Sequence, residues 1–235
     1  FGAGANFIGS SNGANYIGGS PFSSDQNISA LEGYFFRGNY NYDSKYYFSA
    51  SLRFDGTSRF RDNTKRWGTF WSVGGAWRLS REAWMQDASW IDDLKLRVSY
   101  GTMGNASGVG LYSGYNLWTF SNASSDLVNQ QIYQRGTLGN PNLTWETIST
   151  LDIGVDFRFW DRFWGTVVYY RRLTEDMIWK RPVAASVGVT SLTANAASML
   201  NAGLEVELGV NIIRNDNVLW DFNMNFAHNK NTLKS

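Results

Sequence analysis

From residue 34 onward, apolar and polar residues alternate with period two in run after run, the spacing that sends successive side chains to opposite faces of a β-strand. Tyr34, Phe36, Gly38, Tyr40 and Tyr42 share one face of a first predicted strand, with Arg37, Asn39 and Asn41 on the other. Asp43-Ser44 reads as a tight turn. The second strand sets Tyr46, Phe48, Ala50, Leu52 and Phe54 against Ser49, Ser51, Arg53 and Asp55. The third sets Trp71, Val73, Gly75, Trp77 and Leu79 against Ser72, Gly74 and Arg78, and the fourth Leu94, Leu96, Val98 and Tyr100 against Lys95, Arg97 and Ser99. The fifth sets Leu151, Ile153, Val155, Phe157 and Phe159 against Asp152, Gly154, Asp156 and Arg158. A sixth, over 163–172, is aromatic on both faces, and the pattern does not orient it. Leu204, Val206, Leu208, Val210 and Ile212 oppose Glu205, Glu207 and Asn211 in the seventh; Trp220, Phe222, Met224 and Phe226 oppose Asp221, Asn223 and Asn225 in the eighth. The apolar face of each oriented strand is free of Asp, Glu, Lys and Arg.

Alternation alone also suits a soluble sandwich with one face on its core. Three features favour a membrane. The alternating runs are about 9–11 residues, the length a tilted strand needs to cross a bilayer, against ~5–6 for common soluble strands. Turns after strands one, five and seven are tight and the connection over 80–93, with a short helix expected around Glu82–Gln86, is intermediate; the connections over 56–67, 102–144 and 175–199 read as longer loops. Short turns on one side and long loops on the other are a property of outer-membrane barrels. Aromatics also gather at the short side: Tyr40, Tyr42, Tyr46 and Tyr47, then Trp77, Trp84 and Trp90, then Phe159, Trp160, Phe163 and Trp164, then Trp220. Amphipathic rings at one level make the interfacial girdle of such barrels. The expected fold is all-β, an antiparallel transmembrane β-barrel segment of about eight strands belonging to a larger barrel. Residues 1–32 are expected as an extracellular loop segment, 33–231 as the partial barrel and 232–235 as its truncated end.

Composition agrees. Trp, Tyr and Phe make up 16% of the chain and Gly is frequent at 24 against 3 Pro, which suits many strands joined by turns. A net charge of +1 gives no electrostatic reason for a nucleic-acid partner. There is no Cys and one His, His228, so thiolate and multi-His metal centres are excluded and no cofactor is implied. The one Gly-x-Ser-x-Gly match, Gly9-Ser10-Ser11-Asn12-Gly13, falls in the Gly/Ser/Asn-rich start that shows no strand periodicity, where a nucleophile elbow has no strand to follow, and no enzyme is expected.

The polar faces carry Arg37, Arg53, Asp55, Arg78, Arg97, Asp152, Asp156, Arg158, Glu205 and Glu207, residues suited to lining a wet lumen. Asp152 and Asp156 lie about 13 Å apart along a strand, too far for a glycosidase carboxylate pair. Substrate contact belongs to the loops. Tyr112, Tyr115, Trp118, Phe120 and Tyr133 in the long loop could stack on sugar rings, with Asn116 and Asn129 as hydrogen-bond partners. The basic stretch from Arg59 to Arg66 reads as a solvated loop, and Asp92-Asp93 as a turn cap. Two other readings compete: a soluble β-sandwich that binds carbohydrate through its aromatics, and a passive porin.

Longer motifs resemble the SusC/RagA family of TonB-linked outer-membrane transporters. They include Tyr34-Phe35-Phe36-Arg37-Gly38-Asn39-Tyr40-Asn41-Tyr42, Ser51-Leu52-Arg53-Phe54-Asp55-Gly56-Thr57-Ser58-Arg59-Phe60 and Trp90-Ile91-Asp92-Asp93-Leu94-Lys95-Leu96-Arg97-Val98-Ser99-Tyr100-Gly101. Asn140-Pro141-Asn142-Leu143-Thr144-Trp145-Glu146 and Asn201-Ala202-Gly203-Leu204-Glu205-Val206 follow in order. Ala202 departs from the pattern, which usually has a basic residue there. The resemblance implies a barrel of ~22 strands with a plugged lumen, facing outer-membrane lipid. It implies import of oligosaccharide or peptide fragments driven by the TonB complex, with a SusD-like lipoprotein over the external face. The plug is expected outside these 235 residues.

Overall fold

The structure is a computed structural model that describes residues 28–125, 128–214 and 218–234. Ten strands account for most of it: β1 (Leu31–Tyr42), β2 (Tyr46–Thr57), β3 (Trp67–Arg78), β4 (Ile91–Asn105), β5 (Leu117–Ser125), β6 (Val128–Thr137), β7 (Glu146–Phe159), β8 (Phe163–Pro182), β9 (Ser191–Arg214) and β10 (Leu219–Lys234). Eight form one antiparallel sheet in the order β1-β2-β3-β4-β7-β8-β9-β10, while β5 and β6 make a separate hairpin. With that hairpin set aside, each strand pairs with the next in sequence, the up-and-down meander of β-barrels.

Residues directly opposite in an antiparallel ladder share a face, so the register tests the predicted faces. One row runs Tyr42, Tyr46, Trp77, Leu96, Val155, Val167, Val206, Phe226 across all eight strands. The next runs Phe48, Gly75, Val98, Ile153, Tyr169, Leu204, His228. The predicted apolar faces therefore join into one surface. The unoriented sixth strand takes its place in it, with Phe163, Gly165, Val167 and Tyr169 on the apolar side. That surface is open: Val98 is 50% exposed and Ile153 47%. A water-soluble protein rarely leaves so large an apolar face uncovered; in a bilayer, lipid covers it.

The rows also climb. Tyr42 ends β1, yet its row reaches β10 at Phe226, seven residues in from Leu219. A stagger near one residue per strand matches the shear and ~36° tilt of closed barrels.

Three-residue connections, 43–45 and 160–162, join β1 to β2 and β7 to β8 on the short side. Asp43 and Ser44 (φ 52° each) and Trp160 and Asp161 (φ 52° and 53°) are left-handed, the twist that hairpin turns require. Trp160 is a bulky residue to hold there, and contacts offset the cost: its N–H donates to the Trp90 carbonyl at 3.1 Å and its ring packs on Trp90 at 5.8 Å.

Several boundaries differ from expectation. The stretch 175–199 is mostly strand: β8 runs to Pro182 and β9 begins at Ser191. Outside the hydrocarbon no apolar face is selected, so these extensions lose the alternation while keeping the ladder. A bulge between Thr174 and Met177, with Asp176 at φ 55°, shifts the period as well. The expected loop 102–144 gives up its start to β4 and its middle to the β5–β6 hairpin. The helix expected at Glu82–Gln86 is a pair of 3₁₀ turns, Leu79–Arg81 and Ala83–Met85. β1 begins at Leu31, inside the expected first loop, and β10 continues past 231 to Lys234; residues 1–27 lie outside the described residues.

Candidate functional site

The polar face carries Arg37, Arg53, Asp55, Arg97, Asp152, Asp156, Glu205 and Glu207 together. Arg37 opposes Ser51; Arg97 opposes Gly154, which opposes Val168 and then Glu205; Asp156 opposes Thr166 and then Glu207; Ser99 opposes Asp152. Small residues between the charges leave a trough. Asn39, Tyr47, Ser49, Gly74, Arg97 and Asp152 line a hollow of about 420 Å³. It continues past Ser49 and Asp152 into one of about 550 Å³ beside Arg53, Asp55, Phe70 and Thr150.

Some of these charges hold each other. The Arg97 Nε donates to Asp156 at 3.1 Å across two strands, and the Thr166 hydroxyl adds a bond to the same carboxylate at 3.0 Å. Gly154 makes room for that reach, because a Cβ there would sit 3.0 Å from the Arg97 guanidinium. Arg53 pairs with Asp55 at 2.6 Å. At the short-turn end, Arg78 grips Asp93 through Nε and Nη2 at 2.7 and 2.8 Å, the two-pronged geometry that makes Arg–carboxylate pairs specific. Of the expected turn-capping pair, Asp92 alone caps, accepting from the Asp161 N–H at 2.6 Å; Asp93 serves the ion pair.

The long-loop end is built from connections. Phe60, Phe70, Val109, Leu143 and Trp145 form a buried cluster, with Ala106 and Ile178 against it. Phe70 opposes Arg53, so this core sits on the polar face. Trp145 packs on Phe60 at 5.5 Å and edge-on to Phe70 at 5.6 Å. The basic stretch expected to be solvated binds these loops together. Arg59 donates to the Val109 carbonyl at 3.2 Å, Arg61 to Gly114 at 3.4 Å, Lys65 to Asn142 at 3.2 Å and Arg66 to Phe60 at 2.9 Å. Asn195 of β9 mimics a strand partner for Thr144, accepting from its N–H and donating to its carbonyl, both at 3.0 Å.

The loop aromatics are placed one by one. Tyr112, Tyr115 and Trp118 are 48%, 42% and 53% exposed. Arg61 lies 5.1 Å from the Tyr115 ring and Arg135 lies 5.2 Å from Trp118, so two of the three candidates carry an arginine of their own. Asn116 is engaged at home, accepting from the Gly139 N–H at 2.9 Å. The side chains of Phe120, Asn129 and Tyr133 lie outside the described residues.

The short-turn rim is aromatic, as its sequence clusters predict. Tyr46 stacks on Trp77 at 6.3 Å; Trp90 meets Phe159 at 5.4 Å; Phe157 stacks on Phe163 at 5.9 Å. Glu82, between the 3₁₀ turns, accepts from the Tyr46 hydroxyl at 2.7 Å and the Trp77 indole at 3.0 Å. These bonds, the indole's foremost, hold its carboxyl below the ordinary value.

An apolar sheet face rimmed by aromatics, a charged opposite face, a barrel-like stagger and asymmetric connections define a section of outer-membrane β-barrel wall. The chain belongs to the TonB dependent receptor-like β-barrel family, which it matches over residues 1–234. It is 36% identical over 217 residues to TonB-dependent receptor P3 of Formosa agariphila, covering 90% of this chain and 21% of that protein. It is 32% identical over 210 residues to TonB-dependent receptor SusC of Bacteroides thetaiotaomicron, covering 86% of this chain and 21% of that one. The chain thus spans about a fifth of the length of these relatives. Among solved structures, the RagAB peptide transporter superposes with TM-score 0.78 at 32% identity, over 87% of this chain and 22% of its own. The siderophore receptor PirA from Pseudomonas aeruginosa shares the fold, with TM-score 0.57 at 18% identity over 87% of this chain and 37% of its own. The chain is thus outer-membrane β-barrel wall of the SusC/RagA type within that family.

Proposed function

We propose that this chain forms part of the wall and external mouth of an active importer of oligosaccharide or peptide fragments. In this reading the rest of the protein closes the barrel, fills it with a plug and contacts the TonB complex, and a SusD-like lipoprotein covers the mouth. The observation that carries the reading is the mouth itself: a dry, stitched loop core that leaves Tyr112, Tyr115 and Trp118 open to solvent. Aromatic faces offer stacking area to sugar rings and apolar side chains, and the arginines beside Tyr115 and Trp118 bring donors for hydroxyl or carboxylate oxygens. Tyr133, in the β6 sequence, is proposed as a fourth contact. The trough of Arg37, Arg53, Asp55, Arg97, Asp152, Asp156, Glu205 and Glu207 faces the lumen, and lipid covers the opposite face. The RagAB structure, named as a peptide transporter, supports a cargo of this size class.

The test is uptake of a labelled oligosaccharide and a labelled peptide pool by cells carrying Tyr115→Ala/Trp118→Ala in the full-length protein. The half-saturating concentration of the true cargo is expected to rise about tenfold, since each lost stacking contact is worth roughly 0.5–1.5 kcal/mol. Unchanged uptake at equal outer-membrane abundance sinks the assignment of these residues. Steady current through planar bilayers without TonB makes the protein a passive porin.

A further inference from the structure

The outward rim at the long-loop end changes character around the sheet. Over β1–β4 it is aromatic: Tyr34 stacks on Trp67 at 6.2 Å and Trp71 packs on Tyr100 at 5.6 Å. Over β8–β10 it is cationic. Arg171, Ala202 and Lys230 stand opposite one another in a single row of the otherwise apolar face, and His228 lies in the row below, opposite Leu204.

Height follows from the ladder. Arg171 is eight residues from Phe163, where β8 begins, and Lys230 eleven from Leu219, where β10 begins. At ~3.3 Å per residue and ~36° of tilt they stand roughly 20–30 Å from the short-turn rim. That is the far edge of an apolar band about 25 Å tall. A cation at mid-bilayer is costly, whereas at the edge the cost is small and a long side chain reaches the headgroups.

Arg171, inside the sheet on β8, is exposed, and among the described residues neither Arg171 nor Lys230 has an ion-pair or hydrogen-bond partner. Their neighbours on this face are Leu151, Tyr169, Leu173, Leu200, Leu204 and Thr232. The next acid along this face of β8 is Glu175, about 13 Å away along the strand. Arg171 and Lys230 are two strands apart, roughly 10 Å, and Ala202 between them presents only a methyl, which leaves a notch flanked by two cations.

We propose that this notch binds the phosphate of an anionic outer-leaflet lipid, whose acyl chains lie against Val167, Val206 and Phe226 beneath it. Arg171 and Lys230 supply charge-assisted hydrogen bonds to the phosphate oxygens, and Ala202 lets the headgroup approach the sheet. The proposal rests on the outer-membrane location and not on the cargo.

The test uses full-length protein purified from outer membranes in a phosphorus-free detergent, with bound lipid phosphorus measured per mole and bound species weighed by native mass spectrometry. Arg171→Gln/Lys230→Gln should lower retained phospholipid or phosphoglycolipid about tenfold, the loss expected when two solvent-exposed ion pairs go. Arg172→Gln, on the opposite face, should not. Mixed micelles of phosphorylated glycolipid should restore the bound species, the phosphatase-treated lipid should not, and inorganic phosphate should not compete. Equal retention by wild type and double variant overturns the proposal. So does equal binding of the dephosphorylated lipid, which would mean apolar contact alone. Displacement by inorganic phosphate would make it a free-anion site and overturn the lipid assignment. Where the double variant does not assemble, Ala202→Glu and Ala202→Gln replace it: only Glu should expel the lipid, and retention by both overturns the proposal. Outer-membrane fractionation of the same variants reports location separately.

Discussion

Glu82 holds the polar tips of Tyr46 and Trp77 and lies 4.0 Å from Lys45, all at the short-turn rim. A carboxyl held below its ordinary value adds stability above that value and gives it up as pH falls through the lowered one. Thermal midpoints of the purified protein should therefore fall on the acid side more steeply for wild type than for Glu82→Ala. The variant should be the less stable at neutral pH, and the two should converge in acid. Superimposable curves at neutral pH would mean that the clasp adds nothing. Sequence alone did not reveal this residue or the loop stitches. It shows that Arg59, Arg61, Lys65 and Arg66 are charged but not that the carbonyls of Val109, Gly114, Asn142 and Phe60 face them. The same holds for Asp92 and Asp93, adjacent in sequence and engaged with different strands.

Strands crossing the hydrocarbon are legible because lipid on one side and polar contents on the other impose period two on them. Where the lipid ends, so does the signal, and 175–182 of β8 and 191–199 of β9 therefore read as loop. The loop core was hidden for a related reason. Phe60, Val109, Leu143 and Trp145 are scattered singly through Gly- and Asn-rich segments, and only the fold brings them to Phe70. Trp145 touches two of these rings and donates its indole N–H to the Arg66 carbonyl at 3.3 Å. Trp145→Ala should cost the loop assembly about 3–5 kcal/mol. Protease added to intact cells should then cut within 106–145, while the heat-modifiable barrel band persists. Resistance equal to wild type would mean that the stitches hold the loops without the core.

Across the whole sheet, the register joins the seven faces read from the sequence, and the one strand it left unoriented, into one apolar and one polar surface, and this allows a sharp contrast within one strand. Leu208 and Glu207 are neighbours in β9, but Leu208 belongs to the row of Gly165 and Met224 and Glu207 to that of Thr166 and Asn225. Leu208→Arg places a charge near mid-bilayer and should cost about 2–4 kcal/mol, visible as lost outer-membrane assembly. Glu207→Gln should assemble normally. Equal effects would refute the two-faced assignment.

The meander also bears on how such a wall can change. Because each strand of the eight-stranded sheet pairs with the sheet strand before it, most contacts are local along the chain, and pieces can be added between strands without rewiring the rest. The β5–β6 hairpin sits between β4 and β7, which nevertheless remain direct neighbours from Ile91 to Asn105. The wall is in this sense modular: whatever meets the outside world can be lengthened, swapped or lost at a connection, while the part that must satisfy the bilayer stays unaltered.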